Sequence, residues 1–285
     1  MKGIWKIMSH KSLFERMERE IDLTNEYLKL DTAICKETNG YASINYVFEQ
    51  NFRSWKFRSN YMSLEELRIE LGLYLSKYHP DYRTKNKLSA IDFFTYCELI
   101  ANLGNSFIES LKANNLKGKA EEVITTLRLD LEMMNHHFKK LDDGRIIVVE
   151  TNPAATAVSE IVEPDLSDKI IEYNHYLLRG DLAKKREILR ALSHKYDAIK
   201  PTLKGINSGL EDKSSFLLNN LNIRHNNKDK QSKDYRKFIA DMSDADLEHW
   251  YDETYQTLLF AILAVDQVAR NQAIDELKVK ISEIK

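Results

Sequence analysis

Ile91-Asp92-Phe93-Phe94-Thr95-Tyr96-Cys97-Glu98-Leu99-Ile100-Ala101-Asn102-Leu103-Gly104-Asn105-Ser106-Phe107-Ile108-Glu109-Ser110-Leu111-Lys112-Ala113 decides the fold class. On a helical wheel its apolar side chains occupy most directions, and a helix that is apolar nearly all round is central. The stretch predicts one long core helix over 91–113. On its N-terminal side, Ser12 and Glu15 have the spacing of a capping box, in which each side chain satisfies the other's free amide. Leu13, Met17, Ile21 and Leu28 recur behind it at helical spacing. Ser63 and Glu66 repeat the box and open a short helix to about Leu71, and Pro80 closes the segment 74–79.

On the C-terminal side, 120–140 is amphipathic through Val123, Leu127, Leu131 and Met134. The period then changes once. Phe138 to Leu141, the turn Asp142-Asp143-Gly144, and Arg145 to Glu150 read as a β-hairpin, because Asp-Gly supplies a positive φ and Ile146 to Val149 are β-branched. A lone two-stranded ribbon is marginal, so it must pack on helices. Pro153 and Pro164 bracket a short helix, and further helices are expected over 167–178, 181–196 and 214–226. The apolar-free run 226–234 reads as a loop, and a last helix capped by Ser243 runs past Ile274. The fold class is all-α, a helical bundle with one small β-hairpin near residues 138–150. Three segments are expected: 1–140, 141–164 and 165–285, unless the first and last form one compact unit.

Composition agrees. Only 9 glycines and 4 prolines interrupt 285 residues, as long helices require. Lys and Arg (42) nearly cancel Asp and Glu (44), so any basic surface is local. Basic residues gather at 77–87 and 228–237. Cys35 and Cys97 are isolated, which suits a reducing cytoplasm and excludes the usual zinc spacing. No secretory signal or membrane span is read, so the expected location is cytoplasmic, with no cofactor.

The functional clue lies at 214–227. Ser214, Leu217, Leu218 and Leu221 form a helical stripe whose next members would be Arg224 and His225, flanked by Asn219, Asn220, Asn222, Asn226 and Asn227. Burying an unpaired cation is costly. Either the helix surfaces here, where its dipole favours cations, or the pair lines a polar site. In the second case the guanidinium suits a phosphate and the imidazole a proton transfer near neutral pH.

The segment Leu217 to Asn227 resembles the signature helix of HEPN domains, which are all-α, often homodimeric, and in many members metal-independent ribonucleases of defence and toxin systems. The resemblance implies an RNA or other nucleotide-containing ligand, a homodimer, Arg224 as the phosphate clamp and His225 as acid/base, supported by Asn219, Asn222 and Asn226. The sequence departs from the family pattern. Positions 228–231 are Lys-Asp-Lys-Gln, and the motif's final His is absent until His249. That departure leaves a non-catalytic interaction or regulatory module as the alternative.

Three other constellations compete. Lys77, Tyr78, Tyr82, Arg83, Lys85 and Lys87 alternate cations with stacking platforms, as single-stranded nucleic acid requires, and Arg53–Tyr61 does so more weakly. Glu172-x-x-His175 and Asp246-x-x-His249 have the spacing of a di-metal bundle at chance frequency, so no metal ligands are assigned. His136-His137 reads as a helix end. Lys184-Lys185-Arg186 reads as a solvated face.

Overall fold

A computed structural model describes residues 22–37, 42–73 and 88–283. These divide into two compact units, 1–130 and 131–285. The described residues are all-α apart from one two-stranded antiparallel hairpin.

The first unit holds α1 (Leu23–Cys35), α2 (Ile44–Asn51), α3 (Leu64–Glu70), α4 (Ala90–Ser106), α5 (Ile108–Ala113) and most of α6 (Lys117–Met133). Serines start these helices as their chemistry dictates. The Ser43, Ser63 and Ser89 hydroxyls accept the amides of Tyr46, Glu66 and Asp92, each satisfying an orphan donor. At α3 the Glu66 carboxylate accepts from Met62 rather than from Ser63. The single helix expected over 91–113 is two, broken at Phe107. Gly104, Asn105 and Ser106 are weak helix formers, and Phe107 stays buried at the break. Tyr27, Phe48, Phe52, Phe93, Tyr96, Leu103 and Leu111 fill this unit's core.

The second unit begins with the hairpin. α6 ends at Met133, well before the expected 140, because Asn135 takes a left-handed conformation (φ +59°) that turns the chain into β1 (His136–Lys140). His136 and His137 therefore lie on a strand, not at a helix end. β1 pairs with β2 (Ile146–Glu150) in the register Phe138 to Val148. Leu141, Ile147 and Val149 pack on Ile171, and Val149 bridges to His175, so helices brace the ribbon as expected.

α7 (Pro153–Ser159), α8 (Pro164–Glu172), α9 (Leu182–Ile206), α10 (Ser208–Asn220), α11 (Lys237–Ala240) and α12 (Asp244–Glu283) complete the unit. α9 runs ten residues beyond the expected end and contains Pro201. Its buried stripe of Leu189, Leu192, Tyr196 and Leu203 continues past the proline, and that packing outweighs the lost backbone bond. Leu218 from α10, Leu221 just beyond its end, and Leu247, Tyr251, Leu258 and Ile262 from α12 close on this stripe.

Candidate functional site

The predicted site lies where α10 meets the loop 221–236. α10 stops at Asn220, so Arg224 and His225 do not extend its stripe. The cause is local. Asn222 adopts φ +58°, a left-handed conformation that Asn tolerates better than most residues. Ile223, fully buried, then takes the place the stripe would have given to Arg224. The amide of Asn222 donates to Asn227 Oδ1 (2.7 Å), and the amide of Asn227 returns a bond to Asn222 Oδ1 (3.1 Å). Asn227 Nδ2 also donates to the carbonyl of Asp234 (2.8 Å), and Arg236 donates its amide to the Asn227 carbonyl (2.9 Å). Two buried asparagines thus hold a polar loop in one shape, as satisfied buried networks do.

Within this frame the two predicted residues are engaged separately. Arg224 points back onto α9, where Nη2 donates to the Ser193 carbonyl (3.0 Å) and to Asp197 Oδ1 (2.6 Å). Its guanidinium lies 5.7 Å from the Tyr196 ring centroid. The side chain is 19 % exposed. This is an internal clasp, so the guanidinium expected to hold a phosphate is committed to a carboxylate of its own chain. His225 is 44 % exposed, with Nδ1 3.4 Å from Asp234 Oδ2. Among the supporting residues Asn222 is buried and structural, Asn226 makes an exposed bond to Asp229, and Asn219 remains in the last turn of α10 outside the bracing.

Around His225 the loop is strongly cationic. Residues 224–237 contain Arg224, Lys228, Lys230, Lys233, Arg236 and Lys237 against Asp229 and Asp234, with Arg224 paired to Asp197 and Lys228 to Asp244. Lys230, Lys233, Arg236 and Lys237 are exposed. The stretch Lys77, Tyr78, Tyr82, Arg83, Lys85 and Lys87 lies outside the described residues. In Arg53–Tyr61 one ring, Trp55, belongs to the core of the first unit, while Phe57 and Tyr61 are half-buried. Trp55 is buried, donates to Ser106 Oγ (3.1 Å) and meets Phe57 edge-on.

The most connected polar group in the second unit is one that sequence reasoning missed. Lys185, taken as part of a solvated face, is buried, and its Nζ lies 2.7 Å from both Glu248 Oε1 and Asp252 Oδ1. Tyr173 donates to Asp252 (2.9 Å) and stacks on Tyr255 with ring centroids 3.9 Å apart. Tyr255 donates to the Ile170 carbonyl and accepts from Asn174. Burial, then the Asp252 charge, pushes the Tyr173 hydroxyl far above the ordinary tyrosine range. Burial alone would raise Glu248, but the Gly180 amide and Lys185 outweigh it and hold the carboxyl below its usual value. Every member has an internal partner, so the network locks α8, α9 and α12 together.

Glu172 pairs with Arg145 (3.2 Å), and His175 belongs to the bridge against Val149. Among the described residues no three His, Cys, Asp or Glu side chains converge to hold a metal ion. A shallow groove of about 390 Å³ between α8 and α9 is lined by Leu166, Lys169, His194 and Lys195, and none of the predicted site residues reaches it. No described helix is long and apolar enough to cross a membrane. The chain matches no family model, no curated protein and no solved structure.

Proposed function

We propose that the protein binds RNA on the loop 224–237. One observation carries this reading. Four exposed cations, Lys230, Lys233, Arg236 and Lys237, stand against Asp229 and Asp234 on a segment whose shape is fixed by the Asn222–Asn227 exchange, in a chain whose net charge is only -2. A fixed cluster of cations on an otherwise balanced surface concentrates potential where a phosphate backbone can displace counterions. His225, half-exposed among these cations, is the group there suited to moving a proton near neutral pH. Metal-independent cleavage in the manner implied by the HEPN resemblance would run through it. Binding without cleavage is the second reading, favoured by the commitment of Arg224 to Asp197 and Ser193.

Anisotropy with a labelled single-stranded RNA tests the reading. The variant K230A/K233A/K237A should lose affinity by tenfold or more, with the slope of log K against log salt reduced by about 2. Incubation of the same RNA in EDTA with wild type and His225→Ala separates cleavage from binding. A wild-type protein that leaves the RNA free at low salt rules out the proposal.

A further inference from the structure

α9 carries a row of cations, and their partners differ in a telling way. Lys184 pairs with Glu187, Lys185 with Glu248 and Asp252, Lys195 with Glu163, and Lys200 with Glu211. Arg186 and Arg190 stand one helical turn apart on the same face, where like charges repel. Among the described residues neither is paired with a carboxylate. Arg186 is half-buried, and its Nε is buried without a hydrogen-bond partner. Burial, then the neighbouring Arg190, makes its charge harder to hold. Arg190 is exposed and donates Nε to the Ile223 carbonyl (2.6 Å), which anchors the pair to the first residues of the loop. The buried Tyr251 hydroxyl lies within the field of both guanidiniums and is hydrogen-bonded by Asn222.

Two guanidiniums on one helix face, each with Nη1 and Nη2 not taken by any described residue, suit a tetrahedral oxyanion, since each planar end can present two N–H groups to two oxygens. We propose that Arg186 and Arg190 form a phosphate-binding site that takes a backbone phosphate of RNA lying on the neighbouring loop. This inference rests on the RNA-binding reading and moves the phosphate contact from Arg224, which is occupied, to α9. An acidic side chain of another protein would neutralise the pair but would not use both forks as fully.

The test compares wild type, Arg186→Ala, Arg186→Lys and K230A/K233A/K237A, all checked for a cooperative melting transition no lower than that of wild type. Each is titrated with labelled single-stranded RNA and, separately, with inorganic phosphate. Arg186→Ala should weaken RNA binding about tenfold and abolish phosphate binding. Its melting temperature should equal or exceed that of wild type, because one of two repelling charges is gone. Arg186→Lys, which keeps the charge and loses the fork, should fall between. If Arg186→Ala binds RNA like wild type while the loop variant does not, the Arg186–Arg190 site is wrong and the RNA reading stands. If wild type ignores RNA but binds phosphate through Arg186, the site stands and the RNA reading falls. If wild type binds neither, both fall.

Discussion

Asn222 combines two demands that few side chains meet together. Its backbone must sit at φ +58°, and its side chain must accept the Asn227 amide from a buried position. Glycine meets the first demand and not the second, whereas alanine meets neither. Asn222→Gly should cost about 1–2 kcal/mol for the lost buried partner, and Asn222→Ala about 1 kcal/mol more for the left-handed backbone. Urea denaturation of the two variants measures this, and equal costs would remove backbone conformation as the reason for asparagine. Arg224 invites a second comparison. If it clasps Asp197, the single variants Arg224→Ala and Asp197→Ala should be non-additive in the double. Asp197 is 53 % exposed, so the coupling should be about 0.5–1 kcal/mol and shrink as salt is added. Additivity within about 0.3 kcal/mol would show that the ion pair contributes nothing.

At the scale of elements, the hairpin shows what local sequence can specify. The Gly144 amide donates to the Leu141 carbonyl, and Leu141 donates to Arg145, with Gly144 at φ +89°. That is a β-turn over 141–144 closed by a left-handed glycine, the pattern of a three-residue hairpin loop. Gly144→Ala should therefore destabilise the protein by about 1 kcal/mol or more, with the loss showing first in hydrogen exchange of the β1 and β2 amides. Asp-Gly, the serine caps and the apolar-free loop were legible because each depends on neighbours within a few residues. The end of α10 was not, since Asn227 lies beyond the helix it helps to stop. The depth of Lys185 was not either, since its carboxylates come 63 and 67 residues later. Nor was the length of α9, since tertiary packing of its buried stripe carries the helix through Pro201.

α6 supplies an electrostatic prediction. Asp130 is buried, and burial followed by the Glu26 charge raises its pKa from 3.8 to about 6. An acid with a higher pKa folded than unfolded favours the fold when protonated. The charged form therefore opposes folding fully above about pH 6, and the penalty fades as pH falls toward the ordinary value. Asp130→Asn should stabilise the protein at about pH 7 and change little at about pH 4. Urea midpoints at the two pH values decide it, and a difference independent of pH would show that the charge of Asp130 is not what matters.

At the scale of the whole molecule, the second unit carries the candidate site together with a core of its own. The cluster from Ala155 to Ile262 is filled entirely by residues of 131–285, and the hairpin closes on Ile171 of the same unit. A unit with a complete core and about 150 residues buries roughly 70 % of its chain surface and can fold alone. α12 is the element that decides where such a fragment can end. Its first half supplies Leu247, Tyr251, Tyr255, Leu258 and Ile262 to the core, and Glu248 and Asp252 to Lys185. From Ala269 to Glu283 every described residue is exposed. A fragment 131–269 should therefore keep a cooperative thermal transition and a helical circular dichroism spectrum. A fragment 131–242 should not, because it loses Leu247, Tyr251, Tyr255, Leu258 and Ile262 from the core that covers the α9 stripe, each contributing roughly 1.5–3 kcal/mol by its burial. Together such losses exceed the whole stability of a domain near the lower end of the usual range of about 5–15 kcal/mol. Should 131–242 melt cooperatively, or 131–269 fail to, the core would not be the closed set of residues that Ala155 to Ile262 describes. If 131–269 folds, it is also the smallest piece on which RNA binding by the 224–237 loop can be measured free of the first unit, and its affinity should equal that of the full chain.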